Sequence, residues 1–144
     1  MQIARAKEEH LQRVFEIEGE AISPPWSREA LLDEMGRGDS NFIVSVDNDV
    51  KGFAIVRRVG DDGELLQIAV DASDRRSGIG DLLMSAVIEH AEESSFKSVF
   101  LEVRGSNETA ICLYEKHGFN AVRVRKAYYD KPVEDAIVMV KNIN

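Results

Sequence analysis

The fold is decided by one stretch of the chain, residues 65–80, which reads LLQIAVDASDRRSGIG. Its first six residues are nearly all apolar, which is typical of a buried strand, and we predict that strand over 64–70. A polar loop follows over 71–77, and an amphipathic helix is predicted from about residue 78 to 92. The apolar stripe of that helix is predicted to consist of Leu82, Leu83, Ala86, Val87 and His90.

Strands and helices alternate on both sides of this stretch. Periodicity predicts further strands over 2–5, 41–46, 51–59, 98–104, 119–128 and 135–141. It predicts helices over 8–21, from the N-cap Ser27 to Met35, and over 107–117. The strand-helix-strand unit implies parallel pairing and the hairpins imply antiparallel pairing. We therefore predict an α/β fold with a mixed sheet of about seven strands and helices on both faces.

The charge balance limits the classes of partner. The 144 residues include 18 basic and 26 acidic side chains, which gives a net charge of −8. This balance argues against a general nucleic-acid binder, because such proteins need a cationic surface. It is compatible with a basic or amine-bearing partner, and equally with a charge that serves solubility alone.

Other bulk features indicate a cytoplasmic protein. No apolar run approaches the ~18 residues of a membrane-spanning helix, so we expect no membrane partner. Cys112 is the only cysteine, and the three histidines lie far apart in the sequence. We therefore expect a metal-free cytoplasmic protein in which residues 1–144 form a single domain.

The strongest local motif is Arg75-x-x-Gly78-x-Gly80, between a predicted strand and a predicted helix. A helix start carries unpaired N–H groups and attracts anions, and glycine lets a diphosphate approach those groups. Arg75 and Arg76 add positive charge. The glycines taken alone fit a tight strand-to-helix turn as well. The Gly-x-Gly-x-x-Gly motif of dinucleotide folds and the Gly-Lys-Ser/Thr motif of nucleoside-triphosphate loops are both absent from the sequence.

Three polar residues follow the motif, and each has two interpretations. Glu102 in the middle of a predicted buried strand is either a desolvated base or a glutamate paired with an arginine such as Arg104. Tyr114 on the next helix is either a core residue or a proton donor. Asn107 is either an N-cap or a polar contact to a ligand. The sequence positions alone leave these alternatives open.

The run from about residue 65 to 119 resembles the GNAT acetyltransferases. The likeness is carried by the strand that ends in Asp71, by the Arg75-x-x-Gly78-x-Gly80 motif and by two later segments. Those segments are Leu101-Glu102-Val103-Arg104-x-Ser106-Asn107 and Ala110-x-x-Leu113-Tyr114-x-x-x-Gly118-Phe119. The resemblance implies a GNAT-like domain.

Within the family, the chain is similar to the subfamily that acetylates the N-terminal alanine of ribosomal proteins. This likeness adds Pro25-Trp26-Ser27 and the late segments Tyr128-Tyr129 and Glu134-Asp135-Ala136. Gln67 stands where asparagine is expected, and the 130–133 turn is shorter than expected.

The resemblance implies acetyl-coenzyme A as cosubstrate and no metal. The residues that would bind it are Ile68, Ala69 and Val70 along the pantetheine arm, Arg75, Arg76, Ser77, Gly78, Ile79, Gly80 and Asp81 around the diphosphate, and Asn107 near the thioester. Glu102 would be the general base, acting through water, and Tyr114 would protonate the leaving thiolate.

The implied acceptor is the free N-terminus of a protein or peptide, such as a basic ribosomal protein, which would approach the early helices and Tyr128-Tyr129. Two alternatives remain at this point. One is a GNAT enzyme that acetylates a small amine or a lysine, and the other is a non-catalytic domain that binds acyl-coenzyme A. The sequence leaves the oligomeric state open.

Overall fold

A mixed sheet of seven strands organises the molecule, whose computed structural model describes residues 1–143. The elements in chain order are β1 (Gln2–Arg5), α1 (Leu11–Ala21), α2 (Arg28–Met35), β2 (Ser40–Asp47), β3 (Asp49–Val59), β4 (Asp62–Val70), α3 (Ile79–Glu93), β5 (Ser98–Arg104), α4 (Glu108–Lys116), β6 (Asn120–Asp130) and β7 (Val133–Asn142). The strands lie in the order β1-β2-β3-β4-β5-β7-β6. The predicted α/β architecture and the predicted succession of elements are confirmed.

The helices cover the two faces of the sheet. Leu11, Val14 and Ile17 of α1 and Leu31 of α2 pack with β2 and β3 in one buried cluster. Side chains of α3 and α4 pack with β3, β4, β5 and β7 in a second cluster on the opposite face. Because strand side chains alternate between faces, β2, β3 and β4 each contribute to both clusters, and this burial on both sides explains their apolar sequences.

The buried face of α3 differs from the predicted stripe. Its buried residues are Ile79, Leu83, Met84, Val87 and Ala91. Leu82, which was predicted to be buried, is 37% exposed. Successive helix residues are about 100° apart, so the sheet cannot cover Leu82 and Met84 together. The helix has apolar residues on more than one side, and the periodicity alone did not decide between two overlapping stripes.

A tight turn joins β3 to β4. In the structure Val59 pairs with Asp62, so the turn consists of Gly60 and Asp61. Gly60 has a φ of 62°, a left-handed conformation that glycine adopts without steric conflict.

The sheet opens between β4 and β5. These two strands are parallel, and their paired residues are Gly63 with Val99 and Glu64 with Phe100. β4 continues to Val70 and β5 continues to Arg104 beyond this pairing. The strands therefore separate towards their carboxyl ends, and the backbone edges of residues 65–70 and 101–104 face a gap in the sheet. We call this the β4–β5 gap.

Candidate active site

The start of α3 lies beside the carboxyl end of β4. Gly78 is the N-cap residue with a φ of 87°, and no side chain caps the helix. A Cβ atom built on Gly78 would have no neighbour within 4 Å. The N–H groups of the first helical turn are therefore open to an acceptor from outside the chain, and such a helix start favours an anion.

The residues predicted around this helix start have different surroundings. Arg76 has no hydrogen bond or ion pair to any of residues 1–143, whereas Arg75 Nε donates to the Val70 carbonyl at 3.4 Å. The Ser77 hydroxyl donates to the Asp74 carbonyl. Ile79 is buried beneath the turn. A Cβ on Gly80 would reach Leu113 at an ordinary contact distance of 3.4 Å.

Asp81 joins the start of α3 to the end of α4. Its carboxylate lies 2.8 Å from His117 Nε2 and 3.0 Å from Lys116 Nζ. The hydrogen bond from His117, followed by the one from Lys116, lowers the pKa of Asp81. Its side chain is therefore engaged within the protein, which leaves its backbone N–H for the helix start.

Ile68, Ala69 and Val70 occupy the part of β4 that lies beyond its pairing with β5. On the other side they pair with Ala54, Phe53 and Gly52 of β3. Asn107 is the N-cap of α4, since its Oδ1 accepts from Ala110 N at 3.2 Å. The N-cap interpretation of Asn107 is thus confirmed by this bond, and its side-chain NH₂ group makes no hydrogen bond within residues 1–143.

Glu102 lies on the α1–α2 face of β5, because its neighbours Leu101 and Val103 belong to the core on the other face. Its carboxylate accepts from Arg125 Nη1 of β6 at 3.0 Å. The sequence suggested Arg104 as the arginine partner, and this was wrong. Arg104 instead pairs with Glu134 at 3.4 Å. Strand pairing over residues far apart in the chain determines which arginine reaches Glu102.

Tyr114 is the buried residue of α4, and its ring lies 6.0 Å from that of Phe119. Burial, with a smaller contribution from Tyr129, raises the pKa of the Tyr114 phenol above its usual value. The hydroxyl makes no hydrogen bond within the described residues. The interpretation of Tyr114 as a core residue is therefore confirmed, and its role as a proton donor stays a prediction.

Tyr129 near the end of β6 connects the two candidate catalytic groups. Its phenol interacts electrostatically with the Glu102 carboxylate, and that interaction adds to burial in raising the Tyr129 pKa. Tyr129 also contributes to the raised pKa of Tyr114. Tyr129 is therefore electrostatically coupled to both Glu102 and Tyr114.

A buried polar pair that the sequence did not reveal lies behind β4. Glu18 of α1 is 0% exposed and accepts from Gln67 Nε2 at 3.1 Å and from Trp26 N at 2.8 Å. Burial raises the pKa of Glu18. Oε1 of Glu18 and Oε1 of Gln67 have no hydrogen-bond partner. One indication of this pair is visible in the sequence, the polar residue Gln67 in an apolar strand. Its partner Glu18 lies 49 residues away in the chain, so the sequence did not identify it.

Residues 1–143 contain neither a metal-binding cluster nor a membrane-spanning helix. No group of three or more His, Cys, Asp or Glu side chains is arranged to hold a metal ion. No helix of this part of the chain has the length and apolar character needed to cross a membrane.

Comparison with known proteins identifies the class. The model of the Acetyltransferase (GNAT) family matches residues 8–119, and the chain belongs to this family. It is 40% identical over 131 residues to the [ribosomal protein bS18]-alanine N-acetyltransferase of Haemophilus influenzae, covering 89% of each chain. It is 36% identical over 136 residues to the enzyme of the same name from Escherichia coli strain K12, covering 93% of this chain and 92% of the relative.

A solved structure supports the same assignment. The crystal structure of the ribosomal-protein-S18-alanine N-acetyltransferase from Escherichia coli superimposes with a TM-score of 0.90 and 32% identity. The match covers 99% of this chain and 94% of that chain. The predicted GNAT resemblance is therefore confirmed.

Proposed function

We propose that this protein transfers an acetyl group from acetyl-coenzyme A to the α-amine of a protein that begins with alanine, with a ribosomal protein as substrate. The observation that carries the proposal is the β4–β5 gap, with the uncapped start of α3 following β4 and with Glu102 on the separated part of β5. The names of the relatives at 36% and 40% identity support the choice of acceptor. The chain would act as one domain in the cytoplasm, where ribosomal proteins are made.

The residues at the start of α3 fit a diphosphate. The open space at Gly78, the uncapped N–H groups and the unpaired Arg76 together offer donors and positive charge without a competing side chain. Residues 75–81 would hold the diphosphate, and the free edge of residues 68–70 would hydrogen-bond the pantetheine arm. The side-chain NH₂ of Asn107 would contact the same arm near its end. Acetyl-coenzyme A supplies the activated thioester carbonyl.

Glu102 would accept the proton of the acceptor amine through a water molecule. An α-amine has a pKa of about 7.7–8.0, so on the order of a tenth of it is neutral at pH 7. A lysine amine, at about 10.4, is far less available. Proton removal by Glu102 is therefore less demanding for an N-terminus than for a lysine.

Tyr114 would return a proton to the departing thiolate. Its raised pKa keeps the phenol protonated, and its hydroxyl is free of partners among residues 1–143. Rate acceleration would come mainly from holding both reactants at the gap, which makes the step effectively unimolecular.

The acceptor would enter between the connection of α1 to α2 (residues 22–27) and the β6–β7 turn (residues 131–132). Both segments lie on the side of Glu102, and Arg104 contacts both. The net charge of −8 favours the approach of a basic protein.

Initial rates of thiol release with a panel of acceptors test this proposal. We expect kcat/KM for a peptide with N-terminal alanine to be at least about tenfold higher than for the same peptide with a blocked N-terminus and a free lysine, because the α-amine has the lower pKa. We also expect it to be higher than kcat/KM for polyamines and aminoglycosides. A preference for a small amine would point to a different acetyltransferase, and the absence of thiol release with every acceptor would point to a binding domain.

A further inference from the structure

Arg104, the last residue of β5, donates hydrogen bonds to two separate segments. Its Nη1 lies 3.1 Å from the Pro132 carbonyl and 3.4 Å from Glu134 Oε1. Its Nη2 lies 3.4 Å from the Ser23 carbonyl and 3.4 Å from the Lys131 carbonyl. One guanidinium thus joins the α1–α2 connection to the β6–β7 turn, two segments more than 100 residues apart in the chain.

The surroundings of Arg104 hold this guanidinium in place. Its Cζ lies 4.2 Å from the centroid of the Tyr129 ring, within the range of a cation–π contact. Its partner Glu134 also accepts from the Ser106 N–H at 2.6 Å, and the side chains of both ion-pair partners are less than one-fifth exposed. The hydrogen bonds from Ser106, followed by those from Arg104, lower the pKa of Glu134, which keeps the partner charged.

The position of Arg104 relates this contact set to the reaction. Arg104 lies two residues after Glu102, so the two side chains project from the same face of β5. Tyr129, on which Arg104 stacks, interacts electrostatically with both Glu102 and Tyr114. A planar guanidinium with five donors can bond several carbonyl groups and stack at the same time, and an ammonium group cannot.

We infer that Arg104 is a positioning residue that holds the α1–α2 connection and the β6–β7 turn at the separation required by the acceptor peptide. This inference rests on the proposed function, because it names the part of the site that binds the acceptor. Arg104 itself touches neither reacting group. Its loss therefore affects acceptor binding and leaves cofactor binding at the start of α3 unchanged.

The kinetic test compares Arg104→Lys with Arg123→Lys. The Arg123 side chain is exposed on β6 and makes no hydrogen bond or ion pair to residues 1–143, so it controls for the change of residue type. The loss of one charge-assisted hydrogen bond lowers binding affinity roughly tenfold. We expect Arg104→Lys to raise KM for an N-terminal alanine peptide about tenfold, with KM for acetyl-coenzyme A changed less than about twofold. Equal changes in both KM values, or no change in either, would overturn the inference.

Hydrogen exchange provides a readout that does not depend on activity. In Arg104→Lys the backbone N–H groups of the non-proline residues in 22–27 and 127–133 should exchange faster together, while those of β2 remain as in the wild type. Unchanged exchange in the two segments, or an equal rise in β2, would contradict a specific connection by Arg104. If the wild-type protein acetylates other amines but not the alanine peptide, the proposed function fails. If the wild-type protein acetylates the alanine peptide and Arg104→Lys has the same KM for it, only the role of Arg104 is removed.

Discussion

Arg125 Nη1 on β6 lies 3.0 Å from Glu102 Oε2 on β5, and this ion pair crosses over the intervening strand β7. The Arg125 side chain is 43% exposed, whereas that of Glu102 is 18% exposed. A partner that is largely in solvent is screened, and such exposed ion pairs contribute about 0–1 kcal/mol. The proposed base therefore has a weakly held partner and retains a second carboxylate oxygen for water or the amine.

The first prediction concerns the unequal importance of these two residues. Glu102→Gln should lower kcat about 100-fold or more, because an amide cannot accept the amine proton. Arg125→Gln should change kcat less than about fivefold, since it removes only a screened ion pair. Initial rates at saturating concentrations of both substrates measure the two effects. Glu115→Gln, on the exposed surface of α4, is the control and should have the wild-type rate.

Coenzyme A affinity, measured by calorimetry, should be unchanged in Glu102→Gln. A wild-type kcat for Glu102→Gln across pH 6–9 would remove this residue from catalysis. A loss in Arg125→Gln as large as that in Glu102→Gln would instead make the ion pair part of the machinery.

Tyr114→Phe should slow thiol release by about 100-fold or more, the lower end of the range for general acid catalysis. Because burial raises the pKa of Tyr114, the phenol remains protonated beyond its ordinary pKa of about 10. The wild-type rate should therefore show no decline due to loss of this acid between pH 7 and 10. Thiol release followed over this pH range tests both statements, and an undiminished rate for Tyr114→Phe would leave Tyr114 with a packing role alone.

Gly78→Val should abolish measurable coenzyme A binding, because a branched side chain would fill the open space at the helix start. Gly60→Val is a matched control, since Gly60 also has a positive φ of 62° and no neighbour within 4 Å of a built Cβ. Both substitutions place a branched residue in the left-handed region and should destabilise the fold by about 1–2 kcal/mol. Calorimetry with coenzyme A separates them, and normal affinity in a folded Gly78→Val would contradict a diphosphate site here.

The buried carboxyl of Glu18 should make the stability of the protein depend on pH. Its folded-state pKa is raised by burial, so its favourable contribution is complete below the ordinary value of about 4.3 and declines as pH rises through the folded pKa. Glu18→Gln removes this decline while retaining an oxygen for the Trp26 N–H. We expect the variant to gain on the order of 1 kcal/mol relative to wild type between pH 5 and 8. Urea unfolding at several pH values measures this, and a constant difference between the two proteins would contradict it.

Local interactions explain what the sequence predicted well. Ser27 Oγ accepts from Ala30 N at 3.1 Å, and Asn107 Oδ1 accepts from Ala110 N at 3.2 Å. Each cap involves residues only three positions apart, so the sequence contains all the information required. The apolar run of β4 and the glycines after it likewise determine the strand, the turn and the helix start without help from distant residues.

Contacts between distant residues explain what the sequence did not predict. The pairing of Glu102 with Arg125 depends on the registers of β5 with β7 and of β7 with β6. The pairing of Glu18 with Gln67 depends on how α1 packs across the sheet. The sequence could have shown that Arg104 lies on the same face of the strand as Glu102, because the two residues are two positions apart. Its contacts with residues 23, 131 and 132 required the folded structure.

The most direct test of the account is to locate the acetyl group by mass spectrometry. The acceptor would be a peptide that begins with alanine and contains one internal lysine, incubated with isotopically labelled acetyl-coenzyme A and then fragmented. We predict a single labelled acetyl group on the α-amine of the alanine and none on the lysine. A label on the lysine alone, or an unlabelled peptide in the presence of enzyme that binds coenzyme A, would contradict the proposed reaction.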